Sequence, residues 1–159
     1  MEAVLEVNEN TKIRMVEKIR DAVGDLKDQT VAVLGLSFKP DTDDMRESPA
    51  IEIINGLLDG GARVQAFDPA AMDECRPLWP QVKFCDTAYD AAHEADGLVI
   101  VTEWNQFRAL DLSRLHQLLH RPLIVDLRNI YEPVKMEAAG FEYISVGRPA
   151  VGSQKSEPA

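Results

Sequence analysis

Two basic side chains and an aromatic one follow the first apolar run of this chain, Val31 to Leu34. The loop after this run carries Phe38, Lys39 and Arg46, and the pattern predicts a helix from Ser48–Pro49 onwards. A strand, a loop and a helix N-terminus in this order form an anion site in open α/β sheets, because free backbone N–H groups and the helix dipole favour negative charge. Lys39 or Arg46 would add full positive charge. The segment therefore predicts a site for a phosphate-bearing ligand.

This loop differs from the glycine fingerprint of dinucleotide-binding domains. Gly-x-Gly-x-x-Gly beginning at Gly35 would need glycines at Ser37 and Pro40. Asp68 closes the second predicted strand, at the position where such domains bind a ribose hydroxyl. Because the fingerprint is missing, we favour the other interpretation, in which Asp68 caps the turn that follows.

Further polar and aromatic residues follow two later apolar runs. Glu103 and Trp104 come after GLVIVT, and Arg128 comes after PLIVDL. Continuous apolar runs of this length are typical of buried parallel strands. Parallel strands place their carboxyl ends at one edge of the sheet, where open α/β sheets bind ligands. The sequence therefore predicts that these residues meet the loop of Lys39 at this edge.

The elements that would position these residues alternate along the chain. They predict an α/β fold, a Rossmann-like open parallel sheet with helices on both faces, preceded by an N-terminal helix. The predicted strands span residues 31–34, 63–67, 82–85, 97–102, 122–127 and 141–146. The predicted helices span residues 1–26, 48–60, 87–95, 110–119 and 132–139. We divide the chain into a helix and linker (residues 1–28), an α/β domain (29–147) and a disordered tail (148–159).

The N-terminal helix carries apolar residues at three- and four-residue steps, with charged residues between them. A helix with such a stripe must bury it somewhere. Packing on its own domain and contact with a partner both satisfy this requirement.

The composition excludes several classes of partner. The chain has 159 residues, with 27 acidic and 17 basic side chains and a formal net charge of −10. We therefore expect no binding to nucleic acid or to an anionic membrane, since both require a basic surface. The chain has no apolar run of the roughly 20 residues that span a bilayer, and its first residues lack the pattern of a signal peptide, so we expect a cytoplasmic protein.

No metal site, disulfide or catalytic thiol is predicted. Cys75 and Cys85 have neither zinc-site spacing nor the spacing of a disulfide framework, and neighbouring carboxylates oppose a thiolate at either position. His116 and His120 lie one helical turn apart, but no acidic residue between them could serve as a third ligand or a general base. We therefore favour an exposed helix face for the two histidines.

Several motifs together resemble one family. GLSFKPDTDDMRESP, then FDP, ADGLVIVTEW and VDLRN closely resemble the C-terminal domain of UDP-glucose 6-dehydrogenases. This is the nucleotide-sugar-binding domain of the UDP-glucose/GDP-mannose dehydrogenase family. The resemblance runs from about Val31 to Val146. The N-terminal stretch EVNENTKIRMV resembles the end of the central helix through which family members dimerise, which implies a possible homodimer through this helix.

The resemblance assigns a role to individual residues. Phe38 and Lys39 match positions that contact the nucleotide sugar, UDP or UDP-glucose. Arg128 matches an arginine that reaches the same substrate, and its planar fork can bind oxygens in a bidentate manner. Arg46 matches an arginine that extends toward NAD bound by another domain.

The resemblance also implies what this chain does not contain. Complete family enzymes have an N-terminal NAD-binding domain with Gly-x-Gly-x-x-Gly and a glycine-rich segment with a catalytic cysteine, and neither motif occurs here. They oxidise the sugar C6 alcohol to a carboxylate in two NAD-dependent steps. The chain is therefore expected to be a substrate-binding part of such an enzyme, without a catalytic residue and inactive alone. A GDP-mannose or UDP-N-acetyl-sugar dehydrogenase domain, or a non-catalytic nucleotide-sugar-binding module, remains the alternative.

Overall fold

The protein forms one six-stranded parallel sheet with helices on both faces. The structure, a computed structural model, describes residues 2–37 and 48–152, with side chains from residue 13 onwards. The strands are β1 (Thr30–Leu34), β2 (Arg63–Phe67), β3 (Lys83–Phe84), β4 (Gly97–Ile100), β5 (Leu123–Asp126) and β6 (Glu142–Ser145). The helices are α1 (Glu2–Val23), α2 (Pro49–Asp59), α3 (Met72–Cys75), α4 (Ala88–Ala92), α5 (Asn105–Arg108), α6 (Leu112–Leu118) and α7 (Pro133–Ala138).

The strand order is β3-β2-β1-β4-β5-β6, and every pairing between these strands is parallel. This is the order of doubly wound dinucleotide-binding domains, in which the direction of winding reverses between the first and fourth strands. The predicted Rossmann-like fold is confirmed. The crevice beyond the carboxyl ends of β1 and β4 is where such a sheet binds ligands.

Alternation along the strands produces one apolar core on each face of the sheet. Val31, Val33 and Val99 pack with α1 and α2 on one face. Leu98 and Ile100 pack with α4, α6 and α7 on the other face. Because both faces of β4 are covered, its sequence is apolar throughout, as expected for a buried parallel strand.

The second half of α1 packs on its own domain. Ile19 is fully buried in the core beside α2, and Ile13, six residues earlier, is 56% exposed. A Cβ built on Gly56 would lie 2.7 Å from the Val16 side chain, so α1 and α2 are in close contact. Arg121 donates to the carbonyl oxygens of the last turn of α1. The second half of α1 thus packs within the domain, which is one of the two alternatives predicted for the N-terminal helix.

Most predicted segments differ from the observed elements at their ends, and the sequence does not predict the short helices α3 and α5. The predicted helix over residues 110–119 is the shorter α6, because Asp111 adopts an extended conformation and caps Leu112–Leu118 by accepting from the Arg114 N–H (3.2 Å). The predicted disordered tail begins with ordered residues: Val151 forms a two-way antiparallel bridge with Tyr143. The ordered part of the chain therefore extends past residue 147. Residues 153–159 lie outside the described residues.

Within residues 2–37 and 48–152, no helix is both long enough and apolar enough to cross a membrane.

Candidate functional site at the carboxyl edge of the sheet

Residues 38–47, predicted as a loop, connect Ser37 and Ser48, two described residues at the carboxyl end of β1. Ser48 Oγ donates to the carbonyl oxygen of Leu36 (2.8 Å) and also caps the N-terminus of α2. From β4, Thr102 Oγ1 donates to the carbonyl oxygen of Ser37 (2.7 Å). These side-chain hydrogen bonds hold the two ends of the loop next to each other. The predicted site residues within this loop lie outside the described residues: Phe38, Lys39 and Arg46.

A glycine allows the residues that follow β1 and β4 to approach each other closely. Gly35 has φ +98°, a conformation that residues with a Cβ rarely adopt. A Cβ at this position would lie 2.6 Å from the backbone nitrogen of Thr102. The Gly35 N–H donates to the carbonyl oxygen of Phe67 (2.9 Å), which ties the start of the loop to β2. Gly35 is therefore required by geometry, although it belongs to no dinucleotide fingerprint.

Asp68, directly after β2, is a fully buried carboxylate that connects three loops. Its Oδ1 accepts from the N–H groups of Ala70 and Ala71, which is the turn role predicted from the sequence. Its Oδ2 accepts from the N–H groups of Leu36 (2.7 Å) and Ser37 (3.1 Å) at the start of the 38–47 loop. Asp68 thus fixes the backbone of Leu36 and Ser37, which precede residues 38–47, as well as the turn after β2.

The residues after β4 contact both Asp68 and the loop after β5. The Trp104 indole Nε1 donates to Asp68 Oδ2 (3.2 Å), and the Trp104 side chain is buried. Next to it, the Glu103 carboxylate accepts from Arg128 Nε (3.1 Å) and Nη2 (2.8 Å). Glu103 and Arg128 are about one-third exposed. Arg128, predicted as a ligand residue, therefore lies at the carboxyl edge, as expected, but paired with a carboxylate.

This pairing determines the charge state of Glu103. Burial acts to raise its pKa, but the hydrogen bond from Arg128, the positive charge of that guanidinium, a backbone hydrogen bond and the charge of Arg108 together outweigh burial and lower the pKa below its ordinary value of 4.5. Glu103 is therefore ionised at neutral pH. The pair presents a neutral surface rather than a free positive charge.

A second buried aspartate shapes the loop that carries Arg128. Asp126, the last residue of β5, accepts from the N–H groups of Arg128 (3.0 Å), Ile130 (2.8 Å) and Tyr131 (3.1 Å). The Tyr143 hydroxyl donates to the same carboxylate (2.6 Å). Burial raises the pKa of Tyr143, and the neighbouring Asp126 raises it further. This hydroxyl therefore remains a neutral donor. The backbone beneath Arg128 is fixed by Asp126 much as Asp68 fixes the other loop.

The chain matches the model of the UDP-glucose/GDP-mannose dehydrogenase family, UDP binding domain, over residues 32–133. The chain belongs to this family. The match extends from β1 to the start of α7 and includes the residues that follow β1, β2, β4 and β5 at the carboxyl edge.

Curated relatives agree with this assignment. A UDP-glucose 6-dehydrogenase of Rhizobium meliloti is 49% identical over 150 residues, which cover 94% of this chain and 34% of that protein. UDP-glucose 6-dehydrogenase TuaD of Bacillus subtilis is 40% identical over 159 residues, which cover 99% of this chain and 34% of that protein. The chain thus spans about a third of the length of the curated relatives that it matches.

Solved structures share the fold. A UDP-glucose dehydrogenase from Pyrobaculum islandicum is 36% identical with a TM-score of 0.68, over 79% of this chain and 28% of that one. A UDP-D-ManNAc dehydrogenase from Pyrococcus horikoshii is 25% identical with a TM-score of 0.73, over 90% of this chain and 32% of that one.

The two cysteines are buried, and His116 and His120 contact neighbouring side chains. Cys75 and Cys85 are free thiols inside the two cores, and burial raises the pKa of Cys75 to about 12. The His116 ring packs edge-on against Phe141, whereas His120 Nδ1 lies 2.7 Å from Asp96 Oδ1. The two imidazoles, one turn apart in sequence, thus have different partners.

Three structurally important residues of the site were not identified from the sequence. The sequence places Glu103 at the sheet edge without a partner, indicates no role for Asp126 and predicts Arg148 in the tail. The Arg148 guanidinium donates to the Tyr143 hydroxyl (2.9 Å) and to the Tyr131 carbonyl oxygen (3.1 Å), so it supports the loop of Arg128 from below. An aspartate at the end of an apolar strand is a detectable signal for Asp126. The role of Arg148 has no comparable local signal.

Proposed function

We propose that this chain is the nucleotide-sugar-binding domain of an NAD-dependent UDP-glucose 6-dehydrogenase, and that it binds UDP-glucose through Phe38, Lys39 and Arg128. The observation that carries the proposal is that Ser37 and Ser48, which flank residues 38–47, lie at the same sheet edge as Arg128. Lysine suits a diphosphate because its ammonium is a compact point charge. A few basic groups in a cleft can attract an anion despite the acidic net charge.

The names of the more similar relatives support UDP-glucose as the ligand. Curated relatives at 38–49% identity are named UDP-glucose 6-dehydrogenase. Solved dehydrogenases named for UDP-D-ManNAc and GDP-mannose are 25% and 23% identical to this chain. These sibling substrates form the alternative that a binding experiment must distinguish.

The chemistry of the complete reaction requires groups that this chain does not supply. NAD would accept hydride in each of the two oxidation steps from UDP-glucose to UDP-glucuronate. Asp68, at the position of the ribose-binding acid, is buried and its oxygens accept from main-chain N–H groups, which supports a role for this residue other than ribose binding. We place NAD on a separate N-terminal domain, and we propose that Arg46 is the residue of this chain that contributes to NAD binding. Cys75 is too strongly protonated for a nucleophile.

The contribution of this chain to the reaction is therefore binding and orientation. Its loops hold the nucleotide while the sugar extends toward the partner domain, and they cover the ligand against water. Correct orientation of a bound substrate is a large part of enzymatic rate enhancement. Without the other domain the chain has no hydride acceptor, so it produces no NADH from UDP-glucose.

The proposal is tested by NMR titration of the 15N-labelled chain with UDP and UDP-glucose. Amide shifts should cluster at the ends of the 38–47 loop and in residues 126–131, and GDP-mannose and GDP should bind more weakly. Lys39→Ala and Arg128→Ala should each weaken UDP-glucose binding roughly tenfold, the effect of losing one hydrogen bond to a charged group. Lys27→Ala, at the opposite end of β1, is the matched control. The absence of shifts, or equal shifts with any anion, would contradict the proposal.

A further inference from the structure

The Glu103–Arg128 pair is a two-bond fork at the ligand edge of the sheet. Glu103 Oε2 accepts from Arg128 Nε (3.1 Å), and Oε1 accepts from Nη2 (2.8 Å). Two parallel hydrogen bonds fix the plane of the guanidinium as well as its position. Among the described residues, Nη1 of Arg128 has no hydrogen-bond partner. The fork therefore leaves one terminal nitrogen for a further acceptor.

The backbone of Arg128 is fixed independently of this fork. Its N–H donates to Asp126, and the following residue, Asn129, has φ +54°. The Asn129 side chain donates to the carbonyl oxygen of Val146 and accepts from the Val146 N–H, both at 2.9 Å. Only the side-chain torsions of Arg128 then remain to be set, and Glu103 sets them.

A long arginine side chain loses much rotamer freedom when it binds a ligand, and a side chain that is already oriented loses less. We infer that Glu103 is a positioning residue for Arg128: it holds the guanidinium at the sheet edge before the nucleotide sugar binds. This inference rests on the proposed function, in which Arg128 contacts UDP-glucose.

Glu103 also has a second, opposing effect on an anionic ligand. Its negative charge repels a diphosphate, so removal of the carboxylate both frees Arg128 and reduces repulsion. A single substitution therefore measures the sum of two effects. A double-mutant cycle isolates the coupling between the two side chains, because the repulsion persists in a background that lacks Arg128.

The cycle compares the wild type, Glu103→Ala, Arg128→Ala and the double variant by NMR titration with UDP-glucose. Glu103→Ala should weaken binding by roughly three- to tenfold more when Arg128 is present than when it is absent, the coupling expected of side chains in direct contact. Glu103→Gln, which keeps one acceptor oxygen, should give an intermediate affinity. The Arg128 Nε–H resonance should broaden or shift in Glu103→Ala without ligand.

A matched pair at the other end of the sheet serves as the control. Arg121, ahead of β5, uses the same nitrogens, Nε and Nη2, to bind both oxygens of Glu142, each at 3.2 Å. Glu142→Ala removes an equivalent fork far from the carboxyl edge. It should leave the affinity for UDP-glucose unchanged.

The outcomes separate this inference from the proposed function. If Arg128→Ala leaves binding unchanged, the placement of Arg128 in the ligand site is wrong. If Arg128→Ala weakens binding but Glu103→Ala has the same effect in both backgrounds, the positioning role is wrong. If Glu103→Ala tightens binding only when Arg128 is present, the carboxylate competes with the ligand, which also overturns the inference.

Discussion

Asp68 accepts six hydrogen bonds from described residues, and replacing it with asparagine tests whether these bonds hold the site together. The two oxygens divide the donors unequally. Oδ1 accepts from Ala70 N (2.7 Å) and Ala71 N (2.8 Å). Oδ2 accepts from Leu36 N, Ser37 N, Ser37 Oγ and Trp104 Nε1.

The expected loss of stability follows from this division. An asparagine side chain has one oxygen, so its NH₂ group must face N–H donors in either orientation. With the NH₂ group at the Oδ1 position, two backbone N–H groups lose their acceptor; at the Oδ2 position, three N–H groups do. The first orientation is cheaper. Each buried donor without an acceptor costs about 1–3 kcal/mol, so Asp68→Asn should lower the free energy of unfolding by about 2–6 kcal/mol.

Urea unfolding followed by circular dichroism measures this loss directly. For a chain of this size the melting temperature should fall by about 5–20 °C. Asp25→Asn is the matched control: Asp25 caps a turn by accepting from the Lys27 N–H (3.0 Å) at an exposed position. That substitution should change the free energy of unfolding by no more than about 0.5 kcal/mol. If both variants were equally stable, the buried hydrogen bonds of Asp68 would not have the cost assigned to them.

Three further results are expected. Gly35→Ala should lower the free energy of unfolding by more than about 2 kcal/mol in urea, because φ is positive and the new Cβ would meet the Thr102 backbone; wild-type stability would refute this close approach. Because the folded-state pKa of Glu103 is lowered, its pairing with Arg128 stabilises the fold above its ordinary pKa of 4.5 and is lost as pH falls through the lower folded value. The stability difference between wild type and Arg128→Ala should therefore be constant from about pH 7 to about pH 5 and shrink as the pH falls below 4.5, and a difference that persists at the lowest pH would contradict the pairing. Cys75, with its pKa raised to about 12, should react with a disulfide reagent at about pH 8 only after unfolding, so rapid reaction of the native chain would show that this thiol is accessible.

Local patterns in the sequence determined most of the fold. The strand Arg63–Phe67 was predicted with its observed bounds, and the start of α2 at Ser48–Pro49 is confirmed. Both depend on neighbouring residues: alternation along a strand, and a serine that caps a helix whose first residue is proline. The edge position of Arg128 also follows from sequence, since a residue after a buried parallel strand must lie at the carboxyl edge.

Only the tertiary structure decided what these edge residues contact. Asp68 binds partners 32 and 36 residues away in sequence, at Leu36 and Trp104, and Arg128 binds Glu103 across 25 residues. No periodicity or spacing encodes such pairs, because they depend on which strands become neighbours in the sheet. The sequence by itself indicated that Asp68 caps a turn and that Arg128 is basic. The strand order β2-β1-β4-β5 places Asp68 where three loops meet. It also places beside Arg128 a carboxylate that holds the Arg128 guanidinium in position.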